Sequence, residues 1–387
     1  MTGRSSDRHV LLVEPRTEGH HLTWLRYIAE DLLSAGFRVS AATCPEPSAN
    51  AAIAEQLGEM NGQLKQFSLA TKTLRSASGL RTVVEIAAQA AADEIFFNSF
   101  DEIASQSLRK AVFGILPPSS MRRKTGGIYF RPRFLQKGFA LSGWLKRLGF
   151  RRLARQNFFN RLLLLDENLA AAARTDFPTV PLTFLPDPYP AEFRIDRSIA
   201  RAELRLEPSR QIFLFYGGPY RRKGMHLAAE AFVRLALDSH ALLLYAGQPP
   251  EDANLLAQLR GLEQRGVARL LLHRVSDSQE KLLFASADFV LLPYLGHFGS
   301  SGVLSRAVGA HKPVIASDEQ LVGQRVRQHD LGLLFPTGNS EALKNAIIEA
   351  ATIGAEVLTR WQANAAKYSS SCSREAFRAA LLASFQS

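Results

Sequence analysis

Short apolar runs alternate with amphipathic stretches along most of this 387-residue chain. His9–Glu14 and Arg38–Thr43 read as buried strands. Between them, His21–Ala35 places Leu22, Leu25, Ile28, Ala29, Leu32 and Leu33 at helical spacing, and Gly36 closes the helix. Further strands are expected at Glu94–Phe97, Leu162–Leu165 and Leu182–Leu185. The three prolines of Leu185-Pro186-Asp187-Pro188-Tyr189-Pro190 then mark a hinge. Beyond it the alternation restarts. Strands are expected at Gln211–Tyr216, Ala241–Gly247, Ala268–His273, Phe289–Pro293 and Pro313–Ser317. Helices are expected at Met225–Leu237, Asp252–Gly266, Gln279–Ala285, Val303–Gly309, Ala342–Ala351, Glu356–Tyr368 and Arg374–Phe385. Strand–helix alternation on both sides of a hinge predicts two α/β domains of doubly wound type with a cleft between them. The boundaries are expected at residues 1–190 and 191–369, with a C-terminal helix at about 370–387 packing back on the first domain.

Three glycine-containing loops directly follow expected strands, at Gly19, at Gly217–Gly224 and at Gly299–Gly302. A helix that starts just past the carboxyl end of a strand directs its unpaired N–H groups at the crevice where open sheets bind ligands, and anions bind there. Ser300-Ser301-Gly302-Val303 has this form, although an ordinary serine N-cap would look the same. The middle loop adds Arg221, Arg222 and Lys223. A lysine beside a helix N-terminus suits a diphosphate, while a solvated basic turn is the plainer alternative.

Composition narrows the classes. A 46% hydrophobic and 21% charged chain fits a globular protein. No run reaches the roughly 18 apolar residues of a spanning helix. MTGRSSDRHV has no apolar signal core, so a cytoplasmic location is expected. Two cysteines suggest no disulfide framework, and no Cys/His spacing fits a metal site, so no metal is expected. The net charge of +11 is concentrated: residues 103–165 hold 14 basic residues and no acid. From Gly138 to Phe159 this segment reads as a basic amphipathic helix with Trp144, Leu145, Leu148 and Leu153 beside Lys146, Arg147, Arg151, Arg152 and Arg155. An anionic membrane surface, met from the inner face, suits that pattern. A basic face packed on its own domain remains open, and nucleic acid is not expected, because no nucleic-acid-binding signature accompanies the charge. Asp101-Glu102 and Asp166-Glu167 read as surface carboxylates rather than an acid/base couple.

The second half resembles the C-terminal domain of retaining GT-B glycosyltransferases, the "group 1" (family 4-like) enzymes that use nucleotide sugars. The residues that carry this resemblance are Tyr216-Gly217-Gly218 with Arg222-Lys223-Gly224, Leu244–Gly247, Ala287-Asp288 with Leu292-Pro293-Tyr294, Ser301-Gly302-Val303-Leu304, Lys312–Ile315 and Leu331–Phe335. Glu14-Pro15 with Gly19-His20 is similar to the family's opening unit, and Leu185-Pro186-Asp187 to its interdomain link.

The resemblance implies a GT-B fold, with two Rossmann-like domains facing a central cleft. It also implies transfer of a sugar, with retention, from a nucleotide-sugar donor to a lipid-linked or polysaccharide acceptor, with no cofactor. Lys223, supported by Arg222 or Arg221, would hold the donor diphosphate and aid departure of the leaving group, and His20 would contact the reacting sugar. Gly19, Gly218, Ser300, Ser301, Gly302, Val303 and Arg306 would line the donor site, with Arg274 and Val275 flanking the base. Asn98 and Arg131 would face the acceptor. The family's arginine five residues before the lysine falls on Gly218, and its two glutamates eight positions apart fall on Phe298 and Arg306. These departures leave ribose recognition unassigned. They also keep open an alternative, a GT-B-shaped protein that binds sugar nucleotides without transferring the sugar.

Overall fold

The computed structural model describes residues 8–17, 21–44, 47–60, 62–69, 74, 77–136, 141–190, 195–235 and 240–386. The chain divides into two compact units, one of residues 1–185 and 377–387 and the other of residues 186–376.

Unit 1 runs β1 (His9–Glu14), α1 (His21–Ser34), β2 (Arg38–Thr43), α2 (Pro47–Leu57), β3 (Leu64–Ser68), α3 (Ala77–Gln89), β4 (Glu94–Phe97), α4 (Asp101–Val112), β5 (Thr125–Tyr129), α5 (Leu141–Arg155), β6 (Phe159–Leu164), α6 (Glu167–Asp176) and β7 (Leu182–Phe184). Its seven strands form one sheet in the order β3-β2-β1-β4-β5-β6-β7, and the pairings are parallel. Parallel strands need helical crossovers that cover both faces, so β1 and β4 are buried along their whole length. Leu22, Leu25, Ile28 and Leu32 of α1 join Val10, Leu12 and Phe96 in one core.

Unit 2 runs α7 (Arg197–Glu203), β8 (Gln211–Tyr216), α8 (Met225–Val233), β9 (Ala241–Gly247), α9 (Ala253–Gln264), β10 (Ala268–Leu272), α10 (Asp277–Ser286), β11 (Phe289–Leu292), α11 (Gly302–Gly309), β12 (Val314–Ser317), α12 (Gln320–His329), β13 (Gly332–Phe335), α13 (Ser340–Thr352) and α14 (Ala355–Ser369). Its sheet has the order β10-β9-β8-β11-β12-β13. One core lies on each face of this sheet: Phe213, Phe232, Phe289 and Leu343 on one, Leu214, Leu244, Val290 and Leu304 on the other. A final helix, α15 (Arg374–Gln386), sends Phe377, Leu381 and Phe385 into the core of unit 1.

Three elements depart from the sequence pattern. The amphipathic helix expected from Gly138 to Phe159 closes at Arg155, and Gly138 lies outside the described residues. Asn157 takes φ 49°, a left-handed conformation that asparagine tolerates, and the chain turns so that Phe159 opens β6. The helix expected to reach Leu237 ends at Val233. Strands β3 and β5 were not legible: β3 lies at the sheet edge with only Leu64 buried, and β5 begins Thr-Gly-Gly.

The basic segment folds as α4, β5 and α5. The two helices cross closely at Gly149, where a Cβ would lie 1.8 Å from the Leu108 carbonyl oxygen. One face of α5 packs inward through Phe150 and Leu153. The other presents Trp144, 53% exposed, and Leu148, with Arg151, Arg152 and Arg155 beside them. Phe113, at the end of α4, is 79% exposed, and Ile115 is exposed as well. Arg147 turns back instead, pairing with Asp176 and lying over the Phe177 ring. Among the described residues no helix is long and apolar enough to cross a membrane.

The acidic pairs are not the surface groups expected. Glu102 is buried and pairs with Arg16 at 2.5 Å. Asp101 accepts hydrogen bonds from the backbone N–H groups of Phe130 (2.8 Å) and Arg131 (3.1 Å). Burial outweighs those bonds and pushes the Asp101 carboxyl up to about 6. Asp166 caps α6 through the Leu169 N–H. Asp101, Glu102 and Asp166 therefore fasten loops or a helix end, which adjacent acids in a sequence do not reveal.

Candidate functional site

In the unit 2 sheet the strand order reverses between β8 and β11. Open α/β sheets bind ligands beyond the carboxyl ends of their strands at such a reversal. The loop after β8 carries Gly217–Gly224, and the loop after β11 leads into α11. These two loops are fastened to each other. The Leu295 N–H donates to the Arg222 carbonyl at 2.9 Å. Gly224 sits at φ 75°, and a Cβ there would lie 1.7 Å from the Pro293 carbonyl oxygen. Only glycine meets both demands, so this residue fixes where the preceding lysine stands. Residues 221–223, expected as loop, form a single turn of 3₁₀ helix.

A hydrogen-bond chain runs from that lysine to the start of α11. Lys223 Nζ donates to the Tyr294 hydroxyl at 3.0 Å and lies 4.6 Å from the centre of the Tyr294 ring. The Tyr294 hydroxyl is 2.9 Å from Ser301 Oγ, which in turn accepts from the Leu304 N–H as the N-cap of α11. A second chain reaches the same loop: Arg222 donates to His297 Nδ1 at 2.9 Å, and His297 Nε2 lies 3.0 Å from the Ser300 carbonyl oxygen. An arginine only donates, so His297 takes the donor's hydrogen at Nδ1 and gives its own from Nε2. Arg325, on α12, donates to Ser300 Oγ at 2.8 Å. The start of α11 is thus lined by Arg222, Lys223 and Arg325 in addition to its own partial positive charge.

Two buried acids moderate this charge. Burial pushes the Asp187 carboxyl up from the usual carboxylate range, against a hydrogen bond with Ser300 and the attraction of Arg306, Arg325 and Lys223. Glu280 lies 2.8 Å from Arg306 Nε and accepts a hydrogen bond from the Tyr216 hydroxyl. Burial opposes the Arg306 charge, but the neighbouring Glu280 and Tyr216 outweigh it and raise its pKa above the ordinary arginine value. Arg306 also donates to the Gly302 carbonyl at 3.0 Å. Its charge is therefore committed to Glu280 and to its own helix.

The structure accordingly brings together Gly218, Arg221, Arg222, Lys223, Ser300, Ser301, Gly302, Val303 and Arg306 at one end of one sheet. Arg274 and Val275 lie in the loop between β10 and α10, Arg274 exposed and Val275 packed against the core. Gly19 and His20 fall outside the described residues. In unit 1, Arg131 is exposed just past β5, and its backbone N–H is the one held by Asp101. Asn98 is buried and bonded to Glu14 and His21, which exceeds the role of a turn-forming asparagine. Sequence reasoning missed Asp187, Glu280, His297 and Arg325 as parts of the unit 2 site. Arg325 and Glu280 reach it from helices remote in the chain and leave no local signal, whereas His297 lies within the loop already singled out. Among the described residues no three His, Cys, Asp or Glu side chains are grouped to hold a metal.

Two Rossmann-like units with parallel sheets define the GT-B fold, and solved structures of that class match nearly the whole chain. WaaG, a glycosyltransferase involved in lipopolysaccharide biosynthesis, is 17% identical with a TM-score of 0.66, over 96% of this chain and 99% of its own. The Anabaena protein HepE, solved in complex with UDP-glucose, is 15% identical with a TM-score of 0.66, over 98% and 99%. At these identities the likeness is one of fold. Residues 196–368, within the second unit, match the family model described as glycosyl transferases group 1. A phosphatidyl-myo-inositol mannosyltransferase of Mycobacterium leprae is 32% identical over 129 residues. The match spans about a third of this chain and a third of that relative.

Proposed function

We propose that the protein is a retaining glycosyltransferase that moves a sugar from a nucleotide-sugar donor to a lipid-linked or polysaccharide acceptor at the cytoplasmic face of a membrane. The observation that carries the donor half is the chain from Lys223 through Tyr294 to Ser301, which stands a lysine ammonium beside the N-terminus of α11. Breaking the bond between a sugar and a diphosphate builds negative charge on the leaving phosphate. A fixed ammonium and the helix N–H groups of Gly302 and Val303 stabilise that charge most when it is largest, in the transition state. They supply the positive charge without a metal. In the retaining course, the acceptor attacks from the side the diphosphate leaves, and the departing phosphate takes the acceptor's proton. The HepE complex with UDP-glucose supports a nucleotide-sugar donor. Calorimetry against a panel of nucleotide sugars tests it: one should bind, with its nucleoside diphosphate alone keeping most of the affinity. A chain that binds none is not this enzyme.

Support for the acceptor half lies in the exposed face of α5 and the end of α4, where Trp144, Leu148, Phe113 and Ile115 stand beside Arg151, Arg152 and Arg155. Apolar side chains flanked by arginines suit the interface of an anionic bilayer. The names of WaaG and the mannosyltransferase relative, with their lipopolysaccharide and phosphatidylinositol, agree with a lipid-linked acceptor. The protein is expected to sediment with vesicles rich in phosphatidylglycerol at low salt and to be released by salt. Replacing Trp144 and Leu148 by Ser should abolish sedimentation. Indifference to lipid charge would reject the membrane half and leave the donor half standing.

Phe298 and Arg306 favour a second reading, in which the chain binds a sugar nucleotide without transferring the sugar. Tight donor binding with neither transfer nor hydrolysis under any acceptor would support it.

A further inference from the structure

A cavity of about 670 Å³ opens at the end of the unit 2 sheet opposite the loops of Lys223 and Ser301. Gln211, Ala241 and Phe289, the first residues of β8, β9 and β11, line it, whereas those loops leave the carboxyl ends of β8 and β11. Its volume is that of a small-molecule site. Most of the wall is aliphatic: Ile347 and Ile348 come from α13, Ile353 follows that helix, and Leu358 comes from α14. Ile347 and Phe289 belong to the core, and Ile353 and Leu358 pack against it. Ile348 is exposed. The cavity thus continues the core outward and ends in apolar surface that nothing in the unit covers.

The remaining wall is cationic. Arg197 Nη2 donates to Asp288 Oδ1 at 2.7 Å. Arg210 donates through Nε to the His240 carbonyl and through Nη2 to the carbonyls of Ala241 and Gly266. Among the described residues, Nη1 of each guanidinium has no protein partner. Asp288 does not neutralise the pair, because its Oδ2 also accepts from Arg201 Nη2 at 2.6 Å and from the Ile212 N–H at 2.7 Å. Lys312 stands behind them and donates to the Ala285 carbonyl. Burial, with Arg197 and Arg201 nearby, pushes Lys312 down to about 8 against the pull of Asp288, so positive charge is in surplus here. An inorganic anion would use the arginines and leave the aliphatic wall wet. A neutral lipid would strip water from the guanidinium groups and give no acceptor back. An apolar chain that ends in an anion meets both walls.

We propose that this cavity binds a single-chain amphiphile with an anionic head. The head accepts hydrogens from Arg197 and Arg210, and the chain lies against Ile347, Ile348, Ile353 and Leu358. A fatty-acid carboxylate and a lysophospholipid phosphate share this chemistry. The site stands at the other end of the sheet from Lys223 and does not depend on the transferase reading.

The test is calorimetry of the full chain with oleate and with lysophosphatidylglycerol, each below its micelle-forming concentration. At least one is expected to bind in the cavity, one molecule per chain, and the tighter of the two identifies the head. Oleyl alcohol, which lacks the charge, and oleylamine, which reverses it, should bind at least about tenfold more weakly. Ile348→Glu should abolish binding, Ile348→Met should keep it, and Arg197→Gln should weaken it about tenfold, the worth of one charge-assisted hydrogen bond. Ile348 and Arg197 are both exposed, so these variants should melt as the wild type does. Trp144→Ser with Leu148→Ser should leave this binding as it was, which separates the cavity from the exposed face of α5. The proposal is overturned if neither anionic amphiphile binds, if oleyl alcohol binds as tightly as oleate, or if Ile348→Glu binds as the wild type does. Binding that disappears with Trp144 and Leu148 belongs to α5 and overturns it as well.

Discussion

Lys223→Ala is expected to lower turnover by about 10²–10³, the loss seen when one fixed group facing a developing anion is removed. The fall should appear in kcat more than in KM, because the charge the lysine meets grows as the sugar–phosphate bond breaks. The substitution should leave the fold alone. Tyr294 keeps its contact with Ser301, and Gly224 with its close approach to Pro293 still sets the loop. Lys223→Arg should restore part of the rate: it keeps the charge but replaces a compact ammonium with a broad planar fork. Turnover of Lys223→Ala at the wild-type rate on the true donor would remove the lysine from the mechanism.

The second large effect concerns stability. Glu280→Ala is expected to destabilise the protein by about 3–5 kcal/mol, because it strands Arg306 as a largely buried, unpaired cation. Adding Arg306→Met should recover most of the loss, since an apolar pair can replace a buried ion pair at little cost. Denaturant midpoints at constant m-value measure both steps. If Glu280→Ala alone proves as stable as the wild type, Glu280 is not what holds Arg306.

The expected roles of several site residues rested on position alone, and the structure shows what position leaves out. The glycine–lysine loop after β8 and the serine N-cap of α11 were legible because both are local: a strand, a turn and a helix start within a few residues. The charge balance around them was not. Arg306 occupies a position where the resemblance implies a carboxylate, and the compensating acid, Glu280, comes from another helix 26 positions earlier. No local pattern links the two. Likewise Glu14, His21 and Asn98 are joined only because β1 and β4 are neighbours in the sheet. The edge strand β3 and the glycine-rich β5 lacked the continuous apolar run that marked the others. Residues 103–165 read as basic and amphipathic, but only packing decides which arginines turn inward: Arg147 and Arg151 both lie over the Phe177 ring, whereas Arg152 and Arg155 are exposed.

The central claim is that a nucleotide sugar's diphosphate is held by Lys223 and the N-terminus of α11. The most direct test is a crystal structure of the chain with the nucleotide sugar that calorimetry selects. The account predicts phosphate oxygens within hydrogen-bond distance of Lys223 Nζ and of the N–H groups of Gly302 and Val303. A donor bound elsewhere, with Lys223 still on Tyr294 and no phosphate at α11, would contradict it.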